Sequence, residues 1–176
     1  MEEFVTLSLD CTTSEKISMG APVTLRHSMI SDSRFVRRLS KDVFTVYGPY
    51  EDIILGWFES GKCVTIIACQ DKIPIGFAMV GEPSDRYNLQ NVSEVLGIAV
   101  EPERQGRGVG KLLLVAIDTT SASRNIKCLF LHTAIDNMPA RSLYERVGYR
   151  QLEITRNFYP EGQDAIVMYK DLKSMF

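Results

Sequence analysis

The stretch Val100-Glu-Pro-Glu-Arg-Gln-Gly-Arg-Gly-Val-Gly-Lys111 constrains this chain more than any other segment. Ahead of it, Glu94-Val-Leu-Gly-Ile-Ala-Val100 is apolar and β-branched, which predicts a buried strand. Behind it, Leu112-Leu-Leu-Val-Ala-Ile117 predicts a helix. A strand, a glycine-rich turn and a helix N-terminus in that order make an anion cradle. Unpaired N–H groups point out of the first helical turn, and the helix dipole adds partial positive charge. Spacing decides which anion. A dinucleotide fingerprint would place glycines at 106, 108 and 111, but position 111 is lysine. A Walker A loop would need glycine at 105 and serine or threonine at 112, where the chain has Gln105 and Leu112. What remains is Gln-x-x-Gly-x-Gly on Gln105, Gly108 and Gly110.

A length of 176 residues suits one domain with its own core. The net charge of −2 gives no basis for expecting nucleic-acid binding or attachment to an anionic membrane. No run approaches the roughly 18 apolar residues of a membrane span, and Met1-Glu-Glu-Phe-Val lacks the basic and apolar regions of a secretory signal. The cysteines, at 11, 63, 69 and 128, form no Cys-x-x-Cys pair, and the histidines are only His27 and His132. No metal site is therefore expected, and buried free thiols in a reducing cytoplasm are.

Periodicity organises the rest. Residues 1–20 are read as a leader or an added edge segment, and residues 21–176 as the domain. Val23–His27 predicts a strand. Ser31-Asp32 signals a helix start, followed by Phe35, Val36, Leu39, Val43 and Phe44 at helical spacing, with Gly48-Pro49 as the break. A second helix runs from Tyr50 through Trp57 to Gly61. Cys63–Cys69 and Ile75–Val80 form a hairpin around a turn at Asp71–Pro74, and 83–91 is a polar loop. After the glycine loop and its helix come a strand at Cys128–Thr133 and a helix from Asn137 to Val147. A partly extended stretch, a turn at Pro160–Gly162 and a last strand at Asp164–Tyr169 complete the chain. The order is β-α-α-β-β-β-α-β-α-β-β, an α/β chain best satisfied by a mixed sheet with helices on both faces.

The glycine loop, this order and the segment Asn137-Met-Pro-Ala-Arg-Ser-Leu-Tyr-Glu-Arg-Val-Gly-Tyr149 together resemble the GNAT acyl-CoA N-acyltransferases over roughly residues 23–172. The resemblance implies the GNAT fold, acetyl-CoA as co-substrate and direct transfer in a ternary complex. It implies that Gln105, Gly106, Arg107, Gly108, Val109, Gly110 and Lys111 hold the pyrophosphate. Ile98 and Val100 would bond the pantetheine amides through their backbone, with Asn137 on the same arm. Tyr144 would stand beside the thioester sulfur. A phenol there suits the chemistry, because the departing thiolate needs a proton. Arg104 would add positive charge near the phosphates. A backbone N–H of the Leu96–Val100 strand would stabilise the oxyanion where that strand splays from its neighbour, and Gly97 is consistent with a bulge there.

Two residues compete as the base that deprotonates the amine. Glu94 stands where histone-type members carry glutamate, and simple alternation puts it on one face with Leu96, Ile98 and Val100. His132 stands where NatE-like N-terminal acetyltransferases carry a basic histidine and RimI-like enzymes usually carry glutamate; imidazole also titrates near neutrality unaided. The stretch Arg156-Asn-Phe-Tyr-Pro-Glu-Gly-Gln-Asp-Ala-Ile-Val-Met168 is similar to the substrate hairpin of RimI-like enzymes, with Phe158 in place of a tyrosine. Phe158 and Tyr159 on one side, with Tyr47 and Tyr50 on the other, would wall the acceptor site. The implied acceptor is a protein or peptide N-terminal α-amine. A small-molecule amine such as a polyamine, amino acid or antibiotic-like compound is the alternative, and a non-catalytic acyl-CoA sensor the alternative outside enzymes. A monomer or homodimer is equally compatible.

Overall fold

The computed structural model describes residues 21–82 and 90–172. The leader reading of 1–20 and most of the predicted loop at 83–91 lie outside them. The strands are β1 (Val23–His27), β2 (Val64–Gln70), β3 (Ile73–Gly81), β4 (Val92–Val100), β5 (Cys128–Ala134), β6 (Arg150–Thr155) and β7 (Ala165–Asp171). The α-helices are α1 (Ser33–Phe44), α2 (Tyr50–Glu59), α3 (Val109–Ser123) and α4 (Met138–Arg146). The order is the one expected. All seven strands join one sheet, β1-β2-β3-β4-β5-β7-β6, antiparallel except where β4 meets β5.

Two cores lie on the two faces of this sheet. On one face, α3 contributes Leu113, Leu114 and Ile117, each fully buried against Ile75, Val95, Val100 and Leu129. On the other, Val36 and Leu39 of α1 and Ile54 and Phe58 of α2 cover Ile67, Phe77 and Met79. Burial of each such side chain contributes about 1.5–3 kcal/mol. At one end of the sheet, Asp118 of α3 is fully buried. Lys170 Nζ donates to its Oδ2 at 2.6 Å and Tyr149 Oη to its Oδ1 at 3.2 Å.

Three local readings need correction. The hairpin turn is only Asp71-Lys72, both at positive φ (51° and 65°). Pro74 lies inside β3, tolerated because the register shifts opposite Ala68/Cys69 and relieves the ladder of one N–H. Asp32 does not cap α1 with its side chain. A 3₁₀ turn at Ile30–Asp32 precedes the helix, and the carboxylate instead takes Arg26 at 2.7 and 2.8 Å and the Met29 N–H at 2.7 Å.

The third correction bears on the site. Met79 pairs with Gly97 but Val80 with Val95, so β4 bulges at Leu96-Gly97, as the glycine suggested. A Cβ at Gly97 would stand 2.8 Å from Ile54 Cδ1, so any side chain here would have to displace the end of Ile54 beneath α2. The bulge resets the alternation. Leu96 and Ala99 join the core under α1 and α2, whereas Val95, Ile98 and Val100 join the core under α3. Glu94 therefore shares its side with Leu96 and not with Ile98 and Val100.

Candidate active site

β4 and β5 pair in parallel only from Val92↔Cys128 to Val95↔Leu131. Beyond Val95, β4 runs on to Val100 and β5 to Ala134 without a shared ladder, so the strands splay into a notch. From Leu96 onward the β5-facing edge of β4 offers backbone groups without a strand partner on that side.

Above one flank of the notch lies a cleft of about 750 Å³. Ile98, Val100, Gln105, Gly106, Gly108, Gly110, Lys111, Asn137 and Tyr144 line it. The sequence had assigned all of these to the acyl donor. The loop is shaped by φ values of 71° at Gly106 and 83° at Gly108, the latter being the residue that caps α3. A Cβ at either position would meet nothing within 4 Å. The glycines serve the backbone turn and leave open space over the first N–H groups of α3, where a phosphate can sit. Gln105 Nε2 donates to the Val100 carbonyl at 3.0 Å and so ties the loop to the end of β4. Lys111 adds positive charge within the cleft, and so does Arg146, which the sequence reading missed. Arg107 is exposed and does not line the cleft, and Val109 turns its side chain into the core. An elongated thioester carrier with an anionic end fits this arrangement: anion cradle, strand edge, then notch.

Gly108→Ala forces a Cβ into the left-handed region, at a cost of about 1–2 kcal/mol. Thermal unfolding should register that loss, and calorimetry should show weaker acetyl-CoA binding. Unchanged affinity would mean that this loop does not hold the carrier.

Asn137 caps α4. Its Oδ1 accepts from the Ala140 N–H at 3.2 Å, and its Nδ2 donates to Tyr47 Oη at 3.2 Å. Its amide thus links the first turn of α4 to the other wall of the site. Tyr144 is 6% exposed and lines the cleft. Burial raises its hydroxyl well above the usual phenol range, aided by nearby Tyr47, so it stays protonated at neutral pH. Among the described residues its Oη has no hydrogen-bond partner.

A second cleft lies against α2 and the β6–β7 loop, lined by Tyr50, Ile53, Trp57, Glu82, Glu94, His132, Phe158 and Tyr159 among others. Ile53 and Trp57 were read only as residues of the second helix, although the spacing Tyr50, Ile53, Trp57 is that of one helix face. Tyr47 stacks on Tyr159 at 4.5 Å between centroids, and Tyr50 lies 5.8 Å from Tyr159. Burial, reinforced by the charge of Glu94, pushes the Tyr50 hydroxyl up to about 12. The two clefts share Tyr50, Val95, Leu96, His132 and Tyr159, and so meet at the notch. There His132 Nδ1 lies 2.8 Å from Glu94 Oε1, with side-chain exposures of 7% and 10%. The Phe158 ring stacks on the imidazole at 4.2 Å and 5°. His27 is on β1 and lines neither cleft. Neither do the described cysteines Cys63, Cys69 and Cys128. Among the described residues, no cluster of three metal-ligating side chains occurs and no helix is long and apolar enough to cross a membrane.

Residues 33–149 match the Acetyltransferase (GNAT) family. An N-alpha-acetyltransferase of Saccharolobus solfataricus is 23% identical over 163 residues, covering 87% of this chain and 95% of the relative. A ribosomal protein bS18-alanine N-acetyltransferase of Salmonella typhimurium is 38% identical over 77 residues, covering 42% of this chain and 52% of that protein. Among solved structures, the Salmonella typhimurium acetyltransferase yncA, described with its cofactor acetyl-CoA, superposes with a TM-score of 0.75 at 15% identity, over 86% of this chain and 95% of that one. The chain belongs to the GNAT family and is an acetyl-CoA-dependent acetyltransferase.

Proposed function

We propose that the chain acetylates the N-terminal α-amine of a protein or peptide. The observation that carries this reading is the second cleft. It is a groove walled by Tyr50, Trp57, Phe158 and Tyr159 that ends at the Glu94–His132 pair. Such a groove suits the first residues of an extended chain whose amine reaches the notch, and relatives named N-alpha-acetyltransferase and ribosomal protein bS18-alanine N-acetyltransferase support it.

Gln105, Gly106, Gly108 and Gly110 would hold the pyrophosphate of acetyl-CoA, with Lys111 beside them, and the edge of β4 would hold its arm. When bound, acetyl-CoA supplies a thioester whose carbonyl carbon takes the amine lone pair while the C–S bond breaks. The Glu94–His132 pair takes one proton from the arriving ammonium and passes it to solvent. Unpartnered backbone N–H groups at the bulge stabilise the negative charge on the carbonyl oxygen. Tyr144 Oη gives its proton to the departing sulfur and regains one from the new C–N nitrogen, which keeps a single proton as an amide. With both clefts open to the notch, the amine reaches the thioester directly, without an enzyme-bound acyl intermediate.

The test is thiol release from acetyl-CoA with one peptide in two forms: one with a free N-terminus, the other blocked there but carrying an internal lysine. The free form alone should react. Reaction of the lysine form alone would make this a side-chain acetyltransferase. Reaction only with polyamines or free amino acids would move the acceptor to small molecules. Acetyl-CoA binding with no turnover on any amine would make the chain a sensor.

A further inference from the structure

We infer that Glu94 and His132 act as one unit: His132 Nε2 takes the acceptor proton, and Glu94 is a positioning residue that acts only through the imidazole. The inference rests on the acetyl-transfer reading above and assigns roles within it.

The geometry divides the two residues. Transfer happens where the clefts meet, and His132 lines both, whereas Glu94 lines only the acceptor side. A neutral imidazole has one N–H and one lone pair, and an ionised carboxylate only accepts. At 2.8 Å from Glu94 Oε1, Nδ1 is therefore the donor, which leaves the lone pair on Nε2. Among the described residues Nε2 has no hydrogen bond, so it is the atom of the pair available to an ammonium at the notch. With both side chains about nine-tenths buried, the bond is stronger than it would be in water.

The scaffold holds this arrangement from three directions. Glu94 pairs with Phe130 across the β4–β5 ladder, and His132 stands two residues further on, on the same side of β5. The last rung, Val95↔Leu131, lies between them in sequence, so the pair sits at the apex of the splay. The parallel Phe158 ring fixes the plane of the imidazole. A stacked ring needs no hydroxyl, which gives a role to phenylalanine where the family resemblance has tyrosine. When Nε2 takes a proton, the positive charge on the ring faces the Glu94 carboxylate. The proton leaves Nε2 for solvent through the acceptor cleft, and the Nδ1–H stays in place.

Two measurements test this. The first needs no acceptor. With only two histidines in the chain, ¹⁵N spectra of the imidazoles, assigned with a His27 variant, report the tautomer. In the wild type the proton of neutral His132 should reside on Nδ1, and Glu94→Gln should shift it toward Nε2. A proton on Nε2 in the wild type would overturn the inference whatever the acceptor. The second is a double-mutant cycle on kcat. His132→Ala and Glu94→Gln should each lower kcat, the former by about 10²–10⁴, and the double variant should be no slower than His132→Ala alone. A further multiplicative loss in the double variant would show that Glu94 touches the reaction directly and would sink the positioning role. Unfolding midpoints and acetyl-CoA affinity identify any variant that merely folds poorly. Absence of acetyl transfer to any amine would defeat the acceptor reading and leave the tautomer result standing.

Discussion

Tyr144→Phe should lower kcat by about 10²–10⁴ while leaving acetyl-CoA affinity and stability essentially unchanged. The ring is part of the core under α3 and α4, and phenylalanine preserves that packing. Only the hydroxyl is lost, and it bonds to nothing among the described residues, so no partner is stranded. Burial keeps the hydroxyl protonated at neutral pH, as the proposed role of donor to the leaving sulfur requires. In the proposed role the group acts as C–S cleavage proceeds, so the loss should fall on kcat and kcat/KM together and not on KM. Steady-state kinetics with acetyl-CoA varied, and binding measured separately, distinguish these outcomes. A change in kcat of less than about 10-fold would mean that the thiolate departs without help from this residue.

Lys170→Met should cost about 3–5 kcal/mol of stability, because it leaves Asp118 buried with only the Tyr149 hydroxyl. Burial already raises the Asp118 carboxyl above its ordinary value, with Lys170 and Tyr149 pulling the other way, and the substitution removes the larger of those opposing contacts. The sign of the pH dependence follows. A carboxyl whose folded value lies above 3.8 keeps its proton longer in the folded state, so stability falls as pH rises through that window. The penalty in Lys170→Met is therefore greatest near neutral pH and shrinks as pH falls toward 3.8. Urea titrations at several pH values provide the check. Adding Asp118→Leu to Lys170→Met should restore much of the loss, since removing both partners of a buried pair is often close to neutral. A single variant as stable as the wild type at pH 7 would mean that the pair contributes nothing.

Much of this was legible in the chain because it is local. Element order follows from periodicity and punctuation. The anion cradle follows from the glycine spacing at 106, 108 and 110, and the bulge announced itself as a glycine in an apolar strand. The illegible parts depend on register and on residues far apart in sequence. Simple alternation put Glu94 on the face of Ile98 and Val100, because one extra residue in β4 inverts every side chain after it. The contact of Glu94 with His132 spans 38 positions and exists because β4 and β5 pair in one particular parallel register. The link from Asn137 to Tyr47 spans 90 positions. The Asp118–Lys170–Tyr149 cluster left no sequence signal at all: a lone aspartate in an apolar helix, an ordinary lysine in the last strand and a tyrosine after a glycine reveal each other only once packed.

The meeting of the two clefts at one shared set of residues has a consequence for traffic. Under the acceptor reading given above, carrier and acceptor would arrive through separate clefts, one lined from α3 and α4, the other from α2, and neither would wait for the other to vacate a shared corridor. A large acceptor protein can stay outside with its bulk in solvent and thread in only a short leading tail. Under the acceptor reading given above, what limits eligibility is then how much loose chain a protein presents ahead of its first folded element, so a terminus tucked against its own domain goes unserved however well its first residues suit the groove.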